Sequence, residues 1–277
     1  AWGRFIQLPW SIYRSDPNWV PPLKLERRLH LSRQNPYFEH ASWCAWMVYR
    51  DTQPVGRICA QIDNLRAELR NDATGSFGML EAVEDPEVFS LLFNTAENWL
   101  RNQQIRHIEG PFNLSINDEC GLLVEGFETP PSIMMGHARP YYAKHVEACG
   151  YHKANDLITY RIEATNPMPP RLAKIAARSK RVHKGQFTLR VLNRKRFAQE
   201  IELMRDIFND GWRDNWGFLP FTEAEFKDVG TLLKMLVDDN YVQIGEIDGK
   251  AVSFVVGLPN INEVIADLNG RLFPTGW

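Results

Sequence analysis

The feature that most constrains this chain is a break in its pattern. Residues 166–170 (NPMPP) put three prolines into five positions. Proline removes a backbone donor and restricts the residue before it, so neither helix nor strand continues through such a stretch. On both sides, apolar residues recur at strand or helix spacing. The chain therefore reads as two successive folded regions joined by a linker. With 277 residues there is room for two cores.

In the first region, residues 43–49 (WCAWMVY) and 55–62 (VGRICAQI) read as strands around the turn residues 51–54 (DTQP), which makes a hairpin. Residues 76–81 give a third strand. Asp85 and Pro86 then open a helix to about residue 102, with Val88, Leu91, Leu92, Ala96, Trp99 and Leu100 on one face. A strand at 105–109, a helix at 140–149 closed by Gly150, and a final strand at 156–162 complete the expectation. Ahead of these lies a segment rich in proline and tryptophan, residues 8–31. It suggests a short helix near 9–13, then an extended arm that packs Trp10, Tyr13 and Trp19 onto the main body.

The second region restarts with a strand at 187–192 and an amphipathic helix at 195–212. A second helix, 222–236, opens on a capping box of Thr222 and Glu225. Strands at 241–247 and 251–258 flank Asp248-Gly249, the strongest hairpin signal in the chain. A short helix at 261–268 follows. The fold class expected is α/β (α+β), divided as 1–165 (arm plus first module), 166–186 (linker and basic segment) and 187–277 (second module).

A net charge of -2 gives no general electrostatic reason to expect a nucleic-acid partner. The local exception is the run 171–184 (RLAKIAARSKRVHK). It reads either as a solvated helix face or linker, or as a phosphate- or membrane-facing patch. No stretch reaches the ~18 to 20 apolar residues of a membrane span, so at most peripheral membrane contact is expected. The opening AWGRFIQLPW lacks the charge pattern of a signal peptide. Cys44, Cys59, Cys120 and Cys149 form no C-x-x-C pair, which suits a reducing compartment, and the cytoplasm is the expected location. The seven histidines show no ligand spacing, and no metal site is expected.

The densest polar cluster is residues 113–121 (NLSINDECG), directly after a strand. Open α/β sheets place ligands at such strand ends. On this reading Asn113, Ser115 and Asn117 hold an amine or polar head group, and Asp118 or Glu119 accepts its proton. The alternative is a loop that hydrogen-bonds itself, as Asn, Ser and Asp readily do. Cys120 reads as an acyl-accepting thiol or, with no histidine beside it, as a structural one.

Strand, two helices and a hairpin are how the GNAT acyltransferase fold begins, and strand, helix, strand, helix, strand are how it finishes. The segment 141–151 (YYAKHVEACGY) looks like the GNAT helix that runs into a Gly-aromatic turn. The stretches DPNWVPPL (16–23), NPYFEHA (35–41), VGRICAQID (55–63), GPFNLSINDECGLLVEGFETPP (110–131), NWGFLPFTEAEF (215–226) and GRLFPTG (270–276) resemble a bacterial family of two-module GNAT-like proteins that includes bacterial ceramide synthases. The resemblance covers nearly the whole chain. It implies an N-acyltransferase that moves an acyl group from acyl-CoA, or another acyl thioester, to a primary amine such as a sphingoid base. A non-catalytic binding or regulatory protein with the same fold is the alternative.

The resemblance also implies that Trp212, Asn215, Trp216 and Phe218 frame the acceptor, with core packing as their other reading. Glu246 is a weaker candidate base. GNAT enzymes hold the coenzyme A pyrophosphate in a glycine loop at a helix N-terminus. Here the equivalent place in the first module reads EAVEDPEVF (81–89), acidic and without glycine. In the second module the loop is expected only after Trp277, which leaves that module incomplete.

Overall fold

The computed structural model describes residues 2–163, 165–182, 186–274 and 276. It is a mixed α/β structure that divides into two compact units, 1–154 with 260–277, and 155–259. The segment 260–277 groups with the first unit rather than with 155–259.

In the first unit, α1 (Trp2–Gln7), α2 (Pro9–Ile12) and α3 (Lys24–His30) form the arm. Strands β1 (Ala41–Arg50) and β2 (Gln53–Asp63) pair as the expected hairpin. After α4 (Asn64–Arg70) comes β3 (Thr74–Ala82), antiparallel to β2. Helix α5 (Pro86–Asn102) leads to the short β4 (His107–Glu109), parallel to β3, and α6 (Tyr142–Ala148) follows. The sheet order is β1-β2-β3-β4.

The two faces of β2 alternate, as side chains on a strand must. Ile58 and Ala60 join Phe77, Phe89, Leu92, Phe93, Leu100 and Tyr142 in a core against α5 and α6. Cys59 faces the other way, into a smaller cluster with Phe5, Tyr37, Met79 and Leu114. Both faces are therefore covered, which explains why β2 reads as an almost unbroken buried run. The arm packs as expected, with Tyr13 buried and stacked on Trp19 at 5.2 Å. Asp85 caps α5 through the Glu87 amide at 2.8 Å and pairs with Arg50, so the acidic segment closes its own helix N-terminus.

The expected strand at 156–162 is absent. Those residues have no ladder partner among the described residues, and Leu157, Ile158, Tyr160 and Ile162 are all exposed. Alternating apolar residues make a strand only where another edge satisfies the backbone.

The first element of the second unit is α7 (Pro170–Val182), which holds residues 171–182 of the basic run, while 183 and 184 lie outside the described residues; β5 (Phe187–Val191), α8 (Phe197–Trp212) and α9 (Glu223–Leu236) follow. Strands β6 (Val242–Ile247) and β7 (Lys250–Val256) complete an antiparallel sheet of order β5-β6-β7. Asp248 and Gly249 take φ of 51° and 75°, the left-handed pair that a tight hairpin needs. The Thr222–Glu225 capping box forms. Leu192, Ile201, Met204, Phe226, Val237 and Val242 make the core. The chain then returns to the first unit with α10 (Asn262–Ile265). There Asn269 accepts from the Trp10 indole at 2.6 Å, and the Gly270 carbonyl accepts from the Lys24 amide at 3.0 Å.

Candidate functional site

The polar loop 113–121 is fastened to the sheet before it presents anything. Gly78 of β3 lies so close to it that a Cβ there would stand 1.7 Å from the Phe112 carbonyl oxygen. The Phe112 amide donates to the Phe77 carbonyl at 2.8 Å. Gln61, buried on β2, donates to the Phe112 and Leu114 carbonyls at 2.8 and 3.1 Å. Met79 takes a φ of 50° at a β-bulge, and its amide reaches the Asn113 side chain at 2.8 Å.

Within this frame the five polar candidates come together but divide by role. Asn113 is a latch, since its carbonyl oxygen serves Met79 and its amide donates to Glu119 at 3.0 Å. Ser115 is buried and accepts from the Asn117 amide at 3.1 Å. Glu119 accepts from Arg27 at 2.8 Å on one oxygen and from Asn113 on the other. Both oxygens are thereby engaged.

Asp118 is placed differently. It accepts from the Ser115 amide at 3.2 Å, and it lies 3.8 Å from His30 Nε2. Its side chain keeps 36% of its surface, so it stays reachable from solvent. Desolvation is the largest influence on it and raises its pKa above the ordinary aspartate value, against the opposing pull of His30, the Ser115 amide and Arg27. His30 Nε2 is buried with no hydrogen-bond partner among the described residues, and its Nδ1 lies 3.7 Å from Glu26.

Sequence reasoning does not single out Arg27, His30 or Glu26. The one available signal is the i,i+4 spacing of Glu26 and His30, which places both on one helix face. Pro17, Pro21 and Pro22, which precede α3, mask it. Burial disfavours the Arg27 cation, but Glu119 and Glu26 outweigh that and hold it firmly charged. Cys120 is half-buried and bridges to Phe112, with its thiol pushed up by burial and by Asp118. That suits the structural reading, because the thiolate is the nucleophile.

The second set of candidates belongs to the other unit. Trp212 ends α8 and is 52% exposed, stacked on Phe208 at 5.5 Å. Asn215 and Trp216 are exposed, while Phe218 is half-buried at 6.3 Å from Phe208. Glu246 pairs with Arg190 at 2.5 Å, and Arg190 also holds the buried Glu200 at 2.7 Å, so Glu246 is part of a structural network.

Compared with known proteins, the chain is 51% identical over 274 residues to protein YghO of Escherichia coli K12, a match covering 99% of this chain and 69% of YghO. It is 47% identical over 279 residues to the bacterial ceramide synthase of Caulobacter vibrioides, covering 99% of this chain and 71% of that protein. The chain belongs to their family. No family model and no solved structure matches it. Similarity to both family members runs through both units, so the site around Asp118 and the aromatic segment 212–218 fall inside the shared region.

Proposed function

We propose that this protein is an N-acyltransferase of the GNAT type, moving an acyl group from acyl-CoA or another acyl thioester to the primary amine of a lipid such as a sphingoid base. The relative named a ceramide synthase supports the reaction class, because ceramide is the amide of a sphingoid base with a fatty acid. The observation that carries the reading is Asp118: a reachable carboxylate with a raised pKa, facing an unpartnered histidine nitrogen.

A primary amine is protonated at neutral pH and attacks only after losing that proton. Asp118 accepts it, with His30 beside the carboxylate to orient it and share its charge. The free amine attacks the thioester carbonyl, the C–N bond forms, the C–S bond breaks, and the thiol leaves with a proton. No enzyme-bound acyl intermediate is required, consistent with the poor disposition of Cys120. Glu119 holds the loop through Arg27.

Asp118→Asn tests this in the whole protein. Turnover of a sphingoid base with acyl-CoA should fall about 10²- to 10⁴-fold, the usual worth of a general base. Thermal stability should not fall. A carboxylate whose folded pKa is raised disfavours the folded state above that pKa, so removing its charge is neutral or stabilising at pH 7. The acid limb of the rate profile should lie above the ordinary aspartate value of about 3.9, with activity rising as Asp118 ionises. Unchanged turnover in Asp118→Asn would discard the assignment.

A further inference from the structure

Helix α7 has no part in the chemistry above, and its composition asks for a partner. The residues from 152 to 181 whose burial is described are all exposed. Within α7, Arg171, Lys174, Arg178 and Arg181 recur at helical spacing along one face. Leu172, Ile175, Ala176 and Ser179 follow the i, i+3, i+4, i+7 pattern along another, and Leu172 and Ile175 are each more than half exposed. The helix contains no acidic residue at all, although the chain as a whole has a net charge of -2.

We propose that α7 is an interfacial helix that docks this protein on an anionic lipid bilayer. Its leucine and isoleucine enter the boundary between head groups and acyl chains, and the four cations of its basic face, Arg171, Lys174, Arg178 and Arg181, meet lipid phosphates. A strongly charged face opposite a modest apolar one, with low overall hydrophobicity, is what lies in a membrane interface without crossing it. No helix among the described residues is long and apolar enough to cross a membrane. A nucleic acid would match the basic face alone and leave Leu172 and Ile175 in water. The bilayer satisfies both faces at once, through charge complementarity on one and apolar burial on the other. This inference stands apart from the acyltransferase reading, and would give such an enzyme access to an amine that resides in the membrane.

The test is flotation of the whole protein with phosphatidylcholine vesicles, plain or doped with phosphatidylglycerol, scored without any turnover. Binding should require the anionic lipid and weaken with salt. Reversing the four cations (Arg171→Glu, Lys174→Glu, Arg178→Glu, Arg181→Glu) should lower partitioning roughly 100-fold or more, since each basic residue near an anionic surface contributes about fivefold. Leu172→Ser with Ile175→Ser keeps every charge and should still lose most binding, while both variants retain the wild-type melting temperature. Equal binding to plain vesicles would overturn the proposal. So would full binding by the serine variant, which would indicate a purely electrostatic, nucleic-acid-like surface. A fall in melting temperature in the serine variant would instead assign the apolar face to protein packing and also overturn it.

Discussion

The loop 113–121 and the segment 212–218 are both dense in side chains capable of recognition, yet the fold treats them in opposite ways. The loop is tied to two strands by Gln61, Asn113 and Phe112, and nearly every polar group in it is engaged. The segment ends a helix in the open, with Trp212 touching Phe208 and Asn215 exposed. A catalytic carboxylate gains from the first arrangement, because its position and pKa are set by what surrounds it. An acceptor surface for a flexible lipid gains from the second, because exposed aromatics offer apolar area without demanding one geometry. Under the proposed function, mutations in the loop region should act through stability and chemistry together, and those in the segment through binding.

The largest effect should come from Gly78→Ala. The added Cβ would meet the Phe112 carbonyl oxygen at 1.7 Å, and both partners are backbone, held by the sheet on one side and by the Gln61 and Phe77 bonds on the other. Neither can yield without lifting the loop. A loss of about 4 kcal/mol or more is expected, in the range reserved for core disruption, and urea titration would measure it. A loss below about 1 kcal/mol would mean that the loop is not fastened where the distances place it.

Arg27→Met comes next. It leaves Glu119 and Glu26 without their cation, and removing one partner of a part-buried pair costs about 3 kcal/mol. Glu26 is subject first to burial, which raises its pKa, but Arg27 and His30 outweigh that and hold it below the ordinary glutamate range. A carboxylate with a depressed folded pKa contributes stability above its unfolded pKa and loses it as pH falls through the folded one. The wild-type advantage over Arg27→Met should therefore be full at neutral pH and shrink below about pH 4. A difference that does not change on acidification would show that the guanidinium acts by packing alone.

This pair also shows where sequence reasoning stops. The hairpin at Asp248-Gly249, the Thr222 capping box and the Asp85-Pro86 helix start are legible because each depends on neighbours within four residues. The loop is legible as a polar cluster, and so is its competing self-bonded character. Helix α3 is not, because Leu23 stands at its N-cap and no side chain caps it. Its partnership with the loop spans 92 positions between Arg27 and Glu119, and no local pattern encodes that. The failed strand at 156–162 is the converse case. Its alternation is real, but pairing is a property of two segments, and among the described residues it has no ladder partner.

The smallest effects should come from the open segment. A Cβ added at Gly211 would meet nothing within 4 Å, so Gly211→Ala near the end of α8 should stabilise by about 0.5 to 1 kcal/mol, the helix propensity difference, where the same methyl at Gly78 is ruinous. Trp212→Ala should cost about 1 kcal/mol at most, the worth of one half-exposed aromatic pair. Its effect on catalysis should be selective: a higher KM for the lipid amine with kcat little changed, because an apolar contact held equally in ground and transition states is uniform binding. Steady-state kinetics with amines of increasing chain length would read this directly, since the penalty should grow with the chain. An unchanged KM across that series would remove the segment from the recognition of the lipid.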